Sequence, residues 1–114
     1  MREPIRKAIR RAAEVLAPAP ALAVACHVSP DGDALGSVSG LARAAAAAGK
    51  QVVASFGSPF AVSAQYGFLD LAALVPPERF PAAPEVMVVL DVAAPDRLGE
   101  LAGPAERAGT VVVV

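Results

Sequence analysis

Apolar positions along the chain follow two different periods. Within "PIRKAIRRAAEVL", residues 4–16, Ile5, Ile9, Ala12, Ala13 and Leu16 fall on one stripe, which predicts an amphipathic helix with a basic, solvated outer face. Pro4 fits its first turn, and "APAP" closes it. "ALAVAC", 21–26, is a short unbroken apolar run, the pattern of a strand buried on both faces. A polar loop over 27–33 leads into a helix from about 34 to 48, with Asp33 as the expected N-cap and Gly49 just past the end. "QVVASF", 51–56, reads as a second strand.

Residues 57–67 hold Gly57, Pro59 and Gly67 and read as loop. "FLDLAALV", 68–75, predicts one or two helical turns, and "PPERFPAAP" is another loop. "EVMVVLDVA" contains the clearest strand, about 86–91, with Asp91 at its C-terminal end. "PDRLGELAGPAERAG" predicts a broken helix that starts at Pro95 and is interrupted at Gly103 and Pro104. "TVVVV" is a last strand.

Strands alternating with helices predict an α/β fold: a Rossmann-like parallel sheet with flanking helices and right-handed crossovers. In such sheets ligands bind outside the carboxyl ends of the strands. His27, Asp31 and Asp33 follow the first strand and Asp91 ends the third, so residues far apart in sequence are expected to meet at one edge.

Composition narrows the partners. A chain of 114 residues is one small domain with a modest core, because much of its 55% apolar content is alanine. That apolar fraction excludes disorder. A net charge of −1 gives no electrostatic footprint for long DNA or an anionic membrane. Cys26 is the only cysteine, so no intrachain disulfide forms, which fits a cytoplasmic protein. The basic start followed by "AAEVLAPAPALAVAC" mimics a secretory leader, but Glu14, Pro18 and Pro20 interrupt its apolar region. No run approaches the roughly 18 apolar residues of a membrane span.

The chemistry concentrates in "HVSPDGDALGS", residues 27–37. One reading is a turn and a helix cap, since Pro, Asp and Gly are turn residues and Asp caps helices. The other is half of a metal site. A turn needs only one of the two aspartates, and Asp91 ends a second strand inside an apolar stretch. Imidazole with several carboxylates suits Mn²⁺ or Mg²⁺. Cys26 reads as a buried thiol. Glycine-loop nucleotide binding fails: Ala44 stands where a phosphate loop wants its first glycine, and "GDALG" lacks the second glycine of the dinucleotide fingerprint. No nucleophile elbow is present, and no second histidine to serve a triad.

"HVSPDGDALGS" resembles motif I of the DHH phosphoesterases, His-x-x-x-Asp-x-Asp before a helix of small residues. "VVLDVAAPDRLG" resembles their motif II, an aspartate closing an apolar strand and then Arg-Leu-Gly. Within the superfamily the form is most like the bacterial nano-RNases, cytoplasmic enzymes that also remove the 3′-phosphate of phosphoadenosine phosphate. The resemblance implies an Mn²⁺-dependent (or Mg²⁺-dependent) phosphoesterase acting on short oligoribonucleotides or phosphorylated nucleotides. It allows a homodimer of the full-length protein. It implies that His27, Asp31 and Asp91 hold one ion and that Asp33 with Asp91 begins the second. Arg97 is then either a phosphate contact or the partner of Glu100, three residues on.

The family's Asp-His-His follows an apolar strand. Here "TVVVV" is that strand and Val114 is the last residue. The chain is therefore expected to be the N-terminal part of a DHH domain, without the later ligands or the C-terminal substrate-binding domain. Alone it is expected to bind one ion weakly and to hydrolyse little. Two other readings stay open: a family II-like pyrophosphatase, which shares His-x-x-Pro-Asp-x-Asp, and a non-catalytic α/β binding module whose acids only cap helices.

Overall fold

The computed structural model describes residues 2–92 and 94–114. Its elements run α1 (Glu3–Leu16), β1 (Ala21–Ala25), α2 (Gly32–Ala47), β2 (Gln51–Ser55), β3 (Val86–Val89), α3 (Ala102–Arg107) and β4 (Thr110–Val113). The strands form one parallel sheet in the order β2-β1-β3-β4. This is the α/β architecture expected from the alternation of runs.

Residues of period two divide the core between the two sheet faces. Leu22, Val24, Cys26, Val88 and Leu90 join Leu35, Val38 and Ala45 of α2 in one cluster. Ala23, Ala25, Met87 and Val89 join Leu98, Leu101 and Phe80 in the other. Short alanines in β1 and α2 let helix and sheet approach closely. Val15 and Leu16 rest on the first cluster, whereas Arg6, Lys7, Arg10 and Arg11 on α1 are all exposed, as a solvated face should be. Lys50 fastens the turn after α1 by donating to the Ala17 and Ala19 carbonyls at 2.8 and 2.6 Å.

Two features place the site. From β1 the chain crosses to β2 on one side and then back over β1 to β3 on the other. The C-terminal ends of β1 and β3 therefore flank the sheet's switch point, the place where ligands bind in such sheets. The register is also level: Ala25 pairs with Ser55 on one side and Val89 on the other. His27, Gly57 and Asp91 each lie two residues beyond that row.

Four expectations are corrected. Helix α2 begins at Gly32, and its N-cap is Asp31, not Asp33. Only the cap position reaches the amide three residues on, and Asp31 Oδ1 accepts from the Ala34 N–H at 2.9 Å. Residues 68–75 form no helical turns. A short 3₁₀ turn covers Ala64–Tyr66 instead, and Leu74 makes an isolated parallel bridge to Ala54. The open edge of β2 supplies the reason: Ala54 N–H donates to the Ala73 carbonyl and Val75 N–H to the Ala54 carbonyl. Pro76 also disfavours helical backbone at Val75.

The third strand ends at Val89, short of Asp91, whose φ of 55° leaves the extended region. The helix after it breaks at Gly99, not at Gly103 and Pro104. A 3₁₀ segment spans Pro95–Leu101 with Gly99 at φ 57°, and α3 starts beyond it. Pro104 sits in the first turn of α3, where the missing N–H costs nothing.

Candidate metal centre

His27 leaves β1 with a ring only 12% exposed. Its Nδ1 lies 2.7 Å from the Val28 carbonyl oxygen. A carbonyl only accepts, so Nδ1 is the donor, and in the neutral ring Nε2 carries the lone pair. That nitrogen faces two carboxylates, 3.7 Å from Asp31 Oδ1 and 3.5 Å from Asp91 Oδ2. One ligand atom from each of the three residues lies within 4.8 Å of the others.

These separations are too long for hydrogen bonds. They fit a shared cation. Two donors each about 2.1 Å from a first-row divalent ion stand roughly 3–3.5 Å apart. Three electron-rich atoms converging without a proton or a cation between them repel one another. The acceptor on Nδ1 also follows the usual pattern of a metal-binding histidine, whose second nitrogen is tied to a carbonyl or carboxylate.

The backbone around the site is held away from its easy conformations. Among the described residues, Ser29 (φ 52°) and Asp91 (φ 55°) are the non-glycine positions in the left-handed region. One lies in the loop after β1 and the other at the exit of β3. Asp91 is kept there by its neighbours: its N–H donates to the Val114 carbonyl at 3.2 Å, and Leu90 N–H donates to that of Ala25 at 2.8 Å. Strain at two loops that meet is a common mark of a working site.

Electrostatics agree with an ionised Asp31. The Ala34 amide, and after it His27, hold the Asp31 carboxyl below its usual value. Burial, with added repulsion from Asp91 and Asp31, pushes the Cys26 thiol up to about 12, and Cys26 lies outside the three-residue group.

Asp33 lies exposed in the first turn of α2, outside the three-residue group. Its charge favours the helix N-terminus. Arg97 is exposed, and its carbonyl accepts from the Val28 N–H at 2.8 Å. Among the described residues it forms no ion pair with Glu100, which bonds to Ser58 instead. Sequence reasoning missed Val28, Gly57, Ser58 and Glu100 as neighbours of the site. Gly57 carried a usable signal, since it follows β2 at the same carboxyl edge.

No family model matches the chain. The chain shares its fold with an exopolyphosphatase-related protein. That crystal structure, from Bacteroides fragilis, superposes with a TM-score of 0.83 at 23% identity, over 96% of this chain and 34% of the other. The match takes in nearly the whole sheet and its helices, and so the scaffold that brings His27 to Asp31 and Asp91. This chain spans about a third of the length of that protein.

Proposed function

We propose that the chain carries the first part of the catalytic site of a DHH-type phosphoesterase, with His27, Asp31 and Asp91 holding a divalent ion, Mn²⁺ or Mg²⁺. The observation that carries this reading is the convergence of His27 Nε2 with Asp31 and Asp91 at the switch point, its Nδ1 already committed to Val28. The motif resemblance and the shared fold support it.

Divalent ions held there would supply an activated water and stabilise negative charge on the reacting oxygens of a phosphoester. The chain's own residues then have separate tasks. Asp31 and Asp91 supply negative charge to hold the cation, and His27 fixes its direction. Asp33, beside Asp31, is the candidate contributor to a second ion, and Arg97 a candidate phosphate contact. The resemblance assigns the remaining ligands to other motifs of the family.

The substrates in this reading are short oligoribonucleotides, the 3′-phosphate of phosphoadenosine phosphate, or both, in the cytoplasm. Among the described residues no helix is long and apolar enough to cross a membrane. A second reading, hydrolysis of a phosphoanhydride such as pyrophosphate, draws on the likeness to the exopolyphosphatase-related protein. The deciding experiment has two stages. Mn²⁺ titration compares the chain with Asp91→Asn, and equal binding sinks the site. A chain that includes the family's Asp-His-His motif is then assayed on dinucleotide, phosphoadenosine phosphate and pyrophosphate. Turnover of pyrophosphate alone replaces the first reading with the second.

A further inference from the structure

Three loops lock together beside the site at a point the metal assignment does not use. Gly57 follows β2 and sits between the loops after β1 and β3. A Cβ on Gly57 would stand 2.8 Å from Val28 Cγ1, 2.9 Å from the Leu98 carbonyl oxygen and 3.1 Å from Glu100 Oε1. Gly99 closes the other side: a Cβ there would stand 3.0 Å from Val28 Cγ1 and 3.3 Å from Gly57 Cα. Glu100 fastens the junction with both carboxylate oxygens. Oε1 accepts from the Ser58 N–H at 2.9 Å, and Oε2 accepts from the Ser58 hydroxyl. Leu98 and Leu101 root the same segment in the core.

The junction reaches His27 through a single residue. Val28 N–H donates to the Arg97 carbonyl, and the Val28 carbonyl accepts from His27 Nδ1. Residues 97–100 therefore hold the Val28 backbone by its N–H, and the carbonyl on the other side of the Val28 Cα holds the imidazole. We propose that Glu100 is a positioning residue for His27: by clamping Ser58 across the Gly57–Gly99 contact, it holds the Val28 backbone at the setting that aims Nε2 at Asp31 and Asp91. Its purpose rests on the metal reading above, but its geometry does not.

Because His27 is the only histidine, its ring gives one set of nitrogen signals. Long-range ¹H–¹⁵N correlation spectra of the metal-free chain at pH 8, where an ordinary imidazole is neutral, report its tautomer. The wild-type ring is expected in the Nδ1–H form. Glu100→Ala and Gly57→Ala shift it toward the Nε2–H form, and Glu100→Gln, which keeps an acceptor for the Ser58 amide, restores it. Mn²⁺ affinity falls about tenfold in Glu100→Ala, as for other groups that orient a metal ligand, and far less in Glu100→Gln. Lys50→Met, remote from the site, lowers Tm without moving the ring signals.

If Glu100→Ala does not fold, Ser58→Ala removes the hydroxyl bond alone and takes its place. Variants that lower Tm yet keep the wild-type tautomer and affinity overturn the proposal. A wild-type chain that binds no divalent ion overturns the metal reading alone, and the tautomer comparison still decides the clamp.

Discussion

His27 Nε2 stands 3.5 Å from Asp91 Oδ2, although the two residues follow different strands. Only the adjacency of β1 and β3 brings them together. Asp91→Asn tests the pairing cleanly. Asn tolerates the left-handed backbone that Asp91 adopts, whereas Ala there adds strain of about 1–2 kcal/mol. Asn leaves the apo melting temperature near wild type. Saturation of the wild-type chain with Mn²⁺ to about 100 times Kd adds about 2.7 kcal/mol, a rise of roughly 10 °C. Asp91→Asn loses most of that rise in differential scanning calorimetry. A full rise in the variant removes Asp91 from the site.

Asp31 has two tasks, and one substitution separates them. Its Oδ1 caps α2 through the Ala34 amide and also faces His27. Asp31→Ser keeps a capping oxygen but removes the carboxylate, so apo stability changes little while the Mn²⁺ response is lost. Asp31→Ala loses both, the cap at a cost of about 1 kcal/mol. The pH dependence has a definite sign. The folded carboxyl sits below its ordinary value of 3.8, so its contribution is present above that pH and disappears as acid takes pH through the lower folded value. Acid titration of wild type against Asp31→Ser shows the gap closing below pH 4.

Much of this arrangement is legible in the residues themselves. The apolar runs at 21–26, 51–56, 86–91 and 110–114 each contain a strand; β1 and β3 are buried on both sides as such runs require, whereas β4 at the sheet edge stays largely exposed. That His27 and Asp91 share one edge follows from the carboxyl-edge rule, but their meeting needs β1 beside β3, which no local pattern states. The choice between Asp31 and Asp33 as cap is not legible either, since both precede an apolar helix and the choice turns on where the helix starts, which is Gly32. The course of 68–75 depends on Ala54, a distant partner with no local signature. Glu100 reads as Arg97's neighbour on a helix, but the break at Gly99 turns it toward Ser58.

Cys26 should behave as an inert core residue. Burial and the two nearby aspartates push its thiol up from 9.0 to about 12. An acid held neutral by the fold contributes stability below its unfolded value and loses it as pH rises through the folded value. Unfolding free energy should therefore decline from about pH 9 upward, and Cys26→Ala should flatten that decline. Native protein at pH 8 shows no thiol reactive toward a disulfide reagent, and denatured protein shows one. Fast labelling of the native state would place the thiol at the surface.

Gly109 offers a control at the opposite end of the sheet. A Cβ there would stand 2.7 Å from the Glu85 carbonyl oxygen, at the entry to β4. Gly109→Ala should destabilise the fold by about 1–3 kcal/mol through overpacking. The increment that Mn²⁺ adds to its melting temperature should match that of wild type. A lost increment would mean that metal affinity tracks general stability rather than the three ligands.

The level row formed by Ala25, Ser55 and Val89 makes the site a gauge of strand alignment. A slip of β3 by one residue against β1 moves Asp91 by about 3.3 Å and turns its side chain to the other face. The slipped sheet would still bury valines, since both faces of β3 are apolar, and its secondary structure would look native by circular dichroism. It would hold His27 and Asp91 apart. Mn²⁺ therefore singles out correctly paired molecules from any that have collapsed with the wrong strand offset, and drives the mixture toward them.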